Sequence, residues 1–295
     1  MALIQATNPT TVTTVNDLFA SQYIGRLVRD VASEAIIGMN FCNVVPMPPD
    51  AHSYTYQVDI WNEIDDATAV VDNEAAAESA LTTDQVQIAG SRYARRTFVL
   101  YNTSRAIVSV VEKAVERVTR ACRRRNHEAT LALATSLTNT QGTAATVHDL
   151  ANHDLVMHNF RTQDHDPGPI VMGLHDDAVR DLRADLVSNA AALYGATWGD
   201  RAAAALQNKE PGAGVAWDGI TVYQTSDMPV GDTTGWTNMV VVAGELAAIE
   251  MPVWQELTAF QQPDESRFGV WIGCSIICEQ GIVKNANGRK FITRT

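Results

Sequence analysis

The chain has 295 residues, of which 46% are hydrophobic, and a formal net charge of −12 at pH 7. This length and apolar content exclude intrinsic disorder and allow one large domain or two modest ones. The acidic balance argues against general nucleic-acid binding, because phosphates attract basic surfaces. The sequence shows no apolar run long enough for a membrane span and no signal-peptide pattern, so we expect neither membrane insertion nor export.

The four cysteines are Cys42, Cys122, Cys274 and Cys278. Cys274 and Cys278 lie in a β-type stretch, where four residues span about 13 Å, and this distance is too long for a disulfide between them. No second Cys or His pair completes a zinc site at close spacing. We therefore expect free thiols in a reducing cytoplasm, and we predict no metal site and no other cofactor.

The first part of the chain is predicted to be an arm. Residues 1–14 are polar and rich in threonine. Residues 15–37 repeat apolar side chains at helical spacing and end at Gly38, a typical helix stop. The proline-rich segment 44–50 then marks a boundary, since proline suits neither a helix interior nor a central strand.

Two strands are predicted after this boundary. Residues 53–64 alternate apolar and polar side chains from Tyr54 to Ile60, and residues 86–100 form the second strand. Residues 65–85 between them show no clear period and few large apolar groups. A structureless connection of this length is unusual inside a compact domain. We therefore predict an extended hairpin that does not pack on its own core.

One long helix is predicted over residues 104–137, a stretch without Gly or Pro. Ser104 is a suitable N-cap, because its hydroxyl can accept from a free backbone N–H of the first turn. Apolar side chains recur at spacings of three, four or seven, which produces one stripe for packing. The stripe consists of Ile107, Val111, Ala114, Val118, Cys122, Ala129 and Leu133. We expect Val111, Val118 and Cys122 to be buried against strands formed by residues 239–283.

The rest of the chain mixes helices and strands without strict alternation, which indicates an α+β fold. Helices are predicted over residues 146–161, 175–189 and 243–249. Strands are predicted over residues 169–174 and 220–229, and over most of the chain from residue 239 onwards. Thr146 is the candidate cap of the first of these helices. Residues 208–219 are predicted to form a glycine-rich loop.

This order of parts resembles the major capsid proteins of tailed bacteriophages, which share the Hong Kong 97-type fold. The resemblance covers almost the whole chain and includes TNTQGTAATVHDL at 138–150 and ITVYQTSDMP at 220–229. It implies an α+β fold with four parts. These are an N-terminal arm (1–48), an extended β-hairpin loop (49–100), a peripheral domain with the long spine helix (101–141 and 236–283), and an axial domain (142–235 and 284–295).

The resemblance implies a structural protein, not an enzyme, that assembles as pentamers and hexamers of an icosahedral shell around double-stranded DNA. Contact with this DNA is expected to be weak and non-specific. Scaffolding, portal and decoration proteins are the other implied partners, with assembly in the host bacterial cytoplasm and a final location in the virion. Some relatives join subunits covalently through a loop lysine, but no Lys precedes Val111 here. We therefore expect a shell that is non-covalent or is reinforced by another protein. Because the arm and the loop use all the residues before the long helix, we expect any scaffold to be a separate protein.

Charge is unevenly distributed around the predicted loop. Residues 51–91 contain acidic side chains and no Lys or Arg, and we expect them to lie across the basic face of a neighbouring subunit. The acidic candidates are Asp59, Glu63, Asp65, Asp66, Asp72, Glu74, Glu78 and Asp84. The basic candidates are Arg92, Arg95, Arg96, Arg120, Arg123 and Arg124. The candidates for an axial loop near a symmetry axis are Pro211, Gly212, Gly214 and Trp217. A solvated loop that serves solubility is the alternative.

Two other functions fit parts of the sequence. An encapsulin-type nanocompartment shell would use the same fold. A metal-dependent hydrolase is suggested because His148, His153, His165 and His175 each precede an aspartate, and imidazole with carboxylate can hold a divalent ion. On a helix, however, a step of five residues turns the direction by about 140°. His148, His153 and His158 would then point apart, so solvated positions are the favoured interpretation.

Overall fold

The computed structural model describes residues 36–48, 53–61, 83–101, 110–163, 168–190, 214–217, 219–231 and 235–295. The described α-helices are α1 (Val110–Ala132), α2 (Leu150–Thr162) and α3 (Asp176–Asp185). The described strands are β1 (Asn43–Pro46), β2 (Thr55–Trp61), β3 (Thr83–Ala89), β4 (Ser91–Leu100), β5 (Thr140–Gly142), β6 (Ile170–His175), β7 (Val215–Trp217), β8 (Ile220–Thr225), β9 (Trp236–Val242), β10 (Ile249–Asp264), β11 (Gly269–Cys278), β12 (Gly281–Ile282) and β13 (Gly288–Thr293). Short 3-10 turns cover Gly38–Phe41, Leu133–Ser136, Glu265–Arg267 and Asn285–Asn287. This mixture confirms the α+β class.

The predicted long helix is present as α1, which continues into the 3-10 turn Leu133–Ser136. Residues 102–109, including the candidate cap Ser104, lie outside the described residues. At about 1.5 Å per residue, α1 is about 35 Å long. None of the described helices is long and apolar enough to cross a membrane.

The buried face of α1 packs on a five-stranded sheet with the strand order β1-β10-β11-β4, in which β12 also pairs with β10. β10 and β11 form a long antiparallel hairpin, β4 is antiparallel to β11, and β1 is parallel to β10. Val118 and Cys122 are buried in one cluster with Met251 and Cys274 of these strands. Their burial agrees with the sequence prediction, whereas Val111 is only half-buried.

Polar side chains complete the buried face of α1. Asn126, His127 and Thr130 are all buried, although the apolar stripe predicted from the sequence contains none of them. The hydroxyl of Thr130 donates to the carbonyl oxygen of Asn126 at 2.9 Å, and Oδ1 of Asn126 accepts from the thiol of Cys278 at 3.6 Å. Burial of these polar groups is tolerated because their side chains form hydrogen bonds.

A second, six-stranded sheet has the strand order β5-β13-β9-β6-β8-β7. β6 and β8 are parallel, as are β5 and β13, and the other neighbours are antiparallel. Met157 and Phe160 of α2, and Val179 of α3, pack with Val240 and Phe291 of the sheet in one buried cluster. β9 pairs inside this sheet, although the resemblance assigns its residues to the predicted peripheral domain. The division into peripheral and axial domains stays a prediction.

The predicted hairpin strands pair with each other in a separate two-stranded sheet of β2 and β3. Residues 62–82, between the two strands, lie outside the described residues. The stretch 86–100, predicted as one strand, belongs to two strands that break at Gly90. The backbone N–H of Gly90 donates to the carbonyl oxygen of Tyr54, and a Cβ at Gly90 would lie 2.3 Å from the ring of Trp254. The close packing of this ring therefore requires glycine at the break.

The predicted start of α2 is wrong. The helix begins at Leu150 and not at Thr146, because Oδ1 of Asp149 accepts from the backbone N–H of Asn152 at 2.8 Å and caps the first turn. The hydroxyl of Thr146 instead accepts from the N–H of Thr143 at 2.9 Å, and this bond stabilises a preceding turn. Thr146 and Asp149 are both suitable capping residues, and the helix uses Asp149, which lies about one turn later.

Two further helix predictions need correction. The range 175–189 divides into α3, capped by His175, and a π-helical turn over Leu186–Ala190. The range 243–249 contains no helix but a turn that leads into β10. Gly244 in this turn has φ +90°, a left-handed conformation that favours glycine and is incompatible with a continuous α-helix.

Val118→Asp should lower the free energy of unfolding by about 3 kcal/mol or more, because it places an unpaired carboxylate against β11. Chemical denaturation of the full chain measures this difference. Ala121→Asp is the matched control, since Ala121 is exposed on the same helix. Equal stability of the two variants would show that Val118 does not face the sheet.

Candidate functional site

The hairpin of β2 and β3 is anchored at its base. The hydroxyl of Tyr56 donates to Oε2 of Glu250 at 2.8 Å, and the ring of Tyr54 meets that of Trp254 edge-on, with centroids 6.1 Å apart. Burial and the bond to Glu250 raise the pKa of Tyr56 to about 12, so this donor stays protonated. Ile88 is buried, whereas the other side chains described on these strands are exposed or half-buried. The hairpin therefore gains little from its own core beyond this anchor.

Two of the acidic candidates lie on the described part of the hairpin. Asp59 and Asp84 are exposed, and Oδ1 of Asp59 accepts from the side chain of Gln85 at 3.0 Å across the strand pair. The other acidic candidates lie outside the described residues and are Glu63, Asp65, Asp66, Asp72, Glu74 and Glu78. Both described carboxylates are therefore exposed at the surface of the hairpin.

The three arginines of β4 are exposed but lie on two faces of the five-stranded sheet. Arg95 is opposite Cys274, which contacts α1, so Arg95 belongs to the helix side of the sheet. Side chains alternate along a strand, and Arg92 and Arg96 therefore lie on the opposite side. The guanidinium of Arg96 is 4.6 Å from the centroid of the Trp271 ring, which confirms its direction.

An aromatic and cationic surface covers the sheet face that is turned away from α1. The ring of Trp271 is 4.9 Å from that of Phe98, and its Nε1 donates to Oδ2 of Asp264 at 3.1 Å. The guanidinium of Arg267 lies 5.9 Å from the same ring. We define the aromatic surface as Arg96, Phe98, Phe260, Arg267 and Trp271. Sequence reasoning missed it, because only the strand register places these side chains together.

The arginines predicted on the long helix form a different surface. Arg123 and Arg124 are exposed and Arg120 is half-buried on α1, on the other side of the sheet from Arg96. Nε of Arg124 lies 2.7 Å from Oε1 of Glu128 one turn later, which offsets its charge. The structure therefore separates the basic candidates into a helix surface and the sheet face that contains the aromatic surface.

Arg125, next to these arginines, turns inward. Its guanidinium lies over the ring of Tyr93, 3.4 Å from the centroid, and donates to Oε1 of Gln280 at 3.0 Å and to Oε1 of Glu279 at 3.1 Å. It also donates to the hydroxyl of Tyr93. Arg125 therefore fixes α1 on β4 and β11, and is not part of a contact surface.

The axial-loop candidates are only partly described, since Pro211 and Gly212 lie outside the described residues. Trp217 belongs to β7 and is half-buried, with its ring 4.4 Å from the ring of His153. Gly219, at φ +73°, makes the turn from β7 to β8. Trp217 thus anchors the edge of the six-stranded sheet next to the exposed Gly214.

Of the three histidines expected to be solvated near α2, His158 is exposed, whereas His148 and His153 are buried. His148 and His153 are 1% and 0% exposed, with ring centroids 5.5 Å apart, and His148 stacks on Phe291. The expectation failed because α2 starts at Leu150, so His148 precedes the helix and folds back towards it. Burial, and then the neighbouring His153, lower the pKa of His148 to about 3. Both rings therefore contribute to an aromatic core.

The remaining His-Asp pairs do not extend this cluster. His175 caps α3 and stacks on Trp236 at 3.6 Å between centroids, and His165 lies outside the described residues. Burial lowers the pKa of His175 in spite of the nearby carboxylates of Asp177 and Asp176. In the part of the chain that the structure describes, no three His, Cys, Asp or Glu side chains converge as a metal site.

Sequence comparison with protein-family models and with curated proteins gives no match. In structure, the chain matches the capsid of cyanophage P-SCSP1u with a TM-score of 0.65 and 12% identity, over 92% of this chain and 92% of that chain. It matches the capsid of Ralstonia phage GP4 with a TM-score of 0.65 and 8% identity, over 92% and 93%. It also matches the holo-SrpI encapsulin complex of Synechococcus elongatus with a TM-score of 0.61 and 9% identity, over 93% and 94%.

The predicted fold is confirmed by these matches. The chain has the Hong Kong 97-type fold that the phage capsids share, and the likeness extends along nearly the whole chain.

Replacement of His148 by Phe should make the protein less sensitive to acid. The folded state prefers the neutral ring, whose pKa falls from 6.5 to about 3 on burial. Because the unfolded chain binds more protons between these values, stability decreases as the pH drops below 6.5. At pH 5 the ring of His148 should contribute a loss of about 2 kcal/mol to the free energy of unfolding of the wild type, relative to neutral pH.

Chemical denaturation of the full chain at both pH values measures this loss. His148→Phe should lose less stability than the wild type, whereas His158→Gln, at an exposed position of α2, should behave like the wild type. If His148→Phe and the wild type lose the same amount, the ring of His148 is not buried in the neutral form.

Proposed function

We propose that this chain, which has the Hong Kong 97-type capsid fold, is the major capsid protein of a tailed bacteriophage. It is a structural subunit and not an enzyme, and it assembles into pentamers and hexamers of an icosahedral shell around double-stranded DNA. The observation that carries the proposal is the match to phage capsids over nearly the full length of both chains. Assembly takes place in the host cytoplasm with scaffolding, portal and decoration proteins as candidate partners, and the shell belongs to the virion.

In the proposed subunit, residues 101–141 and 236–283, with α1 and the β10–β11 hairpin, form the peripheral domain, and residues 142–235 and 284–295, with α2 and α3, form the axial domain. Residues 1–48 form the arm and residues 49–100 the extended loop with the β2–β3 hairpin. A closed shell needs several weak contacts that repeat by symmetry, because their sum and not any single contact gives the shell its strength. The separate exposed surfaces of this subunit suit that requirement.

The acidic loop of one subunit is proposed to lie on the sheet face with Arg92 and Arg96 of its neighbour. This face combines two exposed arginines with the exposed ring of Phe260 and the half-buried rings of Phe98 and Trp271. The helix surface is the weaker candidate, because Glu128 already offsets the charge of Arg124. Each exposed ion pair contributes only about 0–1 kcal/mol. Repetition around the shell makes the sum significant and sensitive to salt.

The test of the shell is negative-stain electron microscopy of the purified full-length chain. Closed particles of uniform diameter are expected, alone or after co-expression with candidate scaffolding proteins. A monomer or small oligomer under all of these conditions would contradict the proposal.

An encapsulin-type nanocompartment is the second candidate, and the match to the SrpI encapsulin favours it. The contents of particles isolated from the source cells distinguish the two functions. Double-stranded DNA protected from nuclease supports a phage head, whereas an enclosed enzyme without DNA supports a nanocompartment.

Removal of acidic charge from the loop should weaken assembly at low salt. The variant changes Asp65, Asp66 and Asp72 to Asn and Glu74 to Gln, and assembly is followed by light scattering across a salt series. The wild type should lose assembly as salt rises, whereas the variant should assemble poorly throughout. Assembly of the variant equal to that of the wild type at low salt would contradict an electrostatic clamp.

Charge reversal on the partner face provides the specific control. Arg92→Glu with Arg96→Glu should reduce assembly in the same way. Asp65→Lys with Asp66→Lys in the same chain should restore it. Arg123→Glu with Arg124→Glu, on the helix surface, should have the smaller effect. If the helix pair has the larger effect, the loop lies on α1 and not on the sheet face.

The loop around residues 208–219 is proposed to meet its symmetry copies near a local axis. Residues 215–217 already pair with β8 as strand β7 within one subunit, so the backbone amides of residues 208–214 are the ones that should exchange hydrogen slowly in shells and rapidly in free subunits. Hydrogen exchange of both forms, followed by mass spectrometry, measures the difference. Equal protection in the two forms would argue against this position of the loop.

A further inference from the structure

Two of the buried cysteines are in direct contact. Sγ of Cys122 on α1 and Sγ of Cys274 on β11 are 2.8 Å apart, although the residues are separated by 152 positions in the sequence. Both are buried, at 4% and 0% exposure, and both are free thiols in the structure. A disulfide has about 2.05 Å between the sulfur atoms, about 0.8 Å less than their separation here.

The contact has a structural origin. Cys122 follows Val118 by one helical turn on the buried face of α1, and Cys274 lies on the sheet face that this helix covers. The thiol of Cys274 also donates to the carbonyl oxygen of Val118 at 3.1 Å. The pair is therefore held by the packing of helix on sheet, and its geometry does not depend on a loop.

We propose that Cys122 and Cys274 are an oxidisable pair that forms an intrachain disulfide between α1 and β11 when the protein meets a peroxide. The product is a covalent link within the subunit, distinct from any link between subunits. In the proposed capsid the reaction would follow release from the reducing cytoplasm, and this timing alone rests on the proposed function.

The reaction is balanced with hydrogen peroxide as oxidant. The thiolate of one cysteine attacks a peroxide oxygen, the O–O bond breaks, and sulfenic acid and hydroxide form. The sulfur of the second cysteine then attacks the sulfenic sulfur, forms the S–S bond and displaces hydroxide. The two thiol protons convert the two hydroxides to water. Two electrons thus pass from the sulfur atoms to the peroxide.

Burial makes the reaction of the pair with an oxidant slow. Burial, and then the bond to Cys122, raise the pKa of Cys274 to about 12, so little thiolate exists at neutral pH. Cys42 and Cys278 are also buried, but their thiols donate to oxygen atoms: the carbonyl oxygen of Met39 for Cys42 and Oδ1 of Asn126 for Cys278. These two cysteines are therefore the internal controls for the pair.

The disulfide should stabilise the folded subunit. It joins residues 152 positions apart and so restricts the unfolded chain strongly, since the entropic effect of a cross-link grows with the length of the loop that it closes. The oxidised protein should therefore unfold at a temperature several degrees higher than the reduced protein. The link also prevents α1 from separating from β11 during any rearrangement of the subunit.

The test uses the full chain, purified with a reducing agent and then treated with hydrogen peroxide or with dithiothreitol. Free thiols are alkylated in denaturant and the digested peptides are identified by mass spectrometry. We expect a linked peptide pair that contains Cys122 and Cys274, that disappears after reduction and in Cys274→Ser, and that persists in Cys42→Ser with Cys278→Ser. The rise in unfolding temperature should appear only where this pair forms.

A second way of oxidising the thiols is the control for limited access of peroxide to the buried pair. The chain is also refolded in a mixture of reduced and oxidised glutathione, where both thiols are accessible before burial. Recovery of Cys122 and Cys274 as alkylated thiols by both routes, or a link between other cysteines, overturns the proposal. A link without a rise in unfolding temperature overturns its stabilising role. The peptides are assayed equally in free subunits and in shells, so failure of this inference is distinct from failure of the proposed function.

Discussion

The position of α1 depends on one buried side chain with hydrogen bonds in two directions. Nδ1 of His127 accepts from the backbone N–H of Gly38 at 2.9 Å, and Nε2 lies 2.9 Å from Oδ2 of Asp227. Because Nδ1 accepts, Nε2 carries the proton and donates to the carboxylate. Gly38 is required at this contact, since a Cβ there would lie 2.7 Å from Cα of His127. One helical residue thus joins the N-terminal segment to the turn after β8.

Directional bonds of this kind select one arrangement where apolar packing alone would permit several. Hydrophobic contacts between a helix and a sheet depend mainly on buried area, whereas a satisfied buried polar network specifies a unique position. Arg125 adds a second fixed point through Tyr93 and Glu279. The position of the helix surface, and the contact of Cys122 with Cys274, follow from the placement of α1 that these bonds fix.

Sequence reasoning located the elements whose apolar period is strong, including the long helix and the paired hairpin strands. It failed where a contact with a distant residue, or a choice between two nearby capping residues, decides the local structure. Gly90 breaks a strand because of the ring of Trp254, and His148 is buried because Asp149 starts α2 one turn later than predicted. The charges of the candidate site were readable from the sequence, but their two faces follow from the register of β4 with β11, which no local pattern contains.

The turn between β10 and β11 carries an exposed aromatic ring, and its apolar contribution can be compared with that of an exposed ion pair. Phe268 has φ +52°, costs about 1 kcal/mol or more as a bulky residue in the left-handed region, and is 75% exposed. Covering such a ring contributes about 1.5–3 kcal/mol, which exceeds the 0–1 kcal/mol of an exposed ion pair. In the proposed shell, apolar contacts of Phe268 and Phe260 would therefore provide most of the affinity. The arginines and the acidic loop would set the orientation of the neighbour and the response to salt.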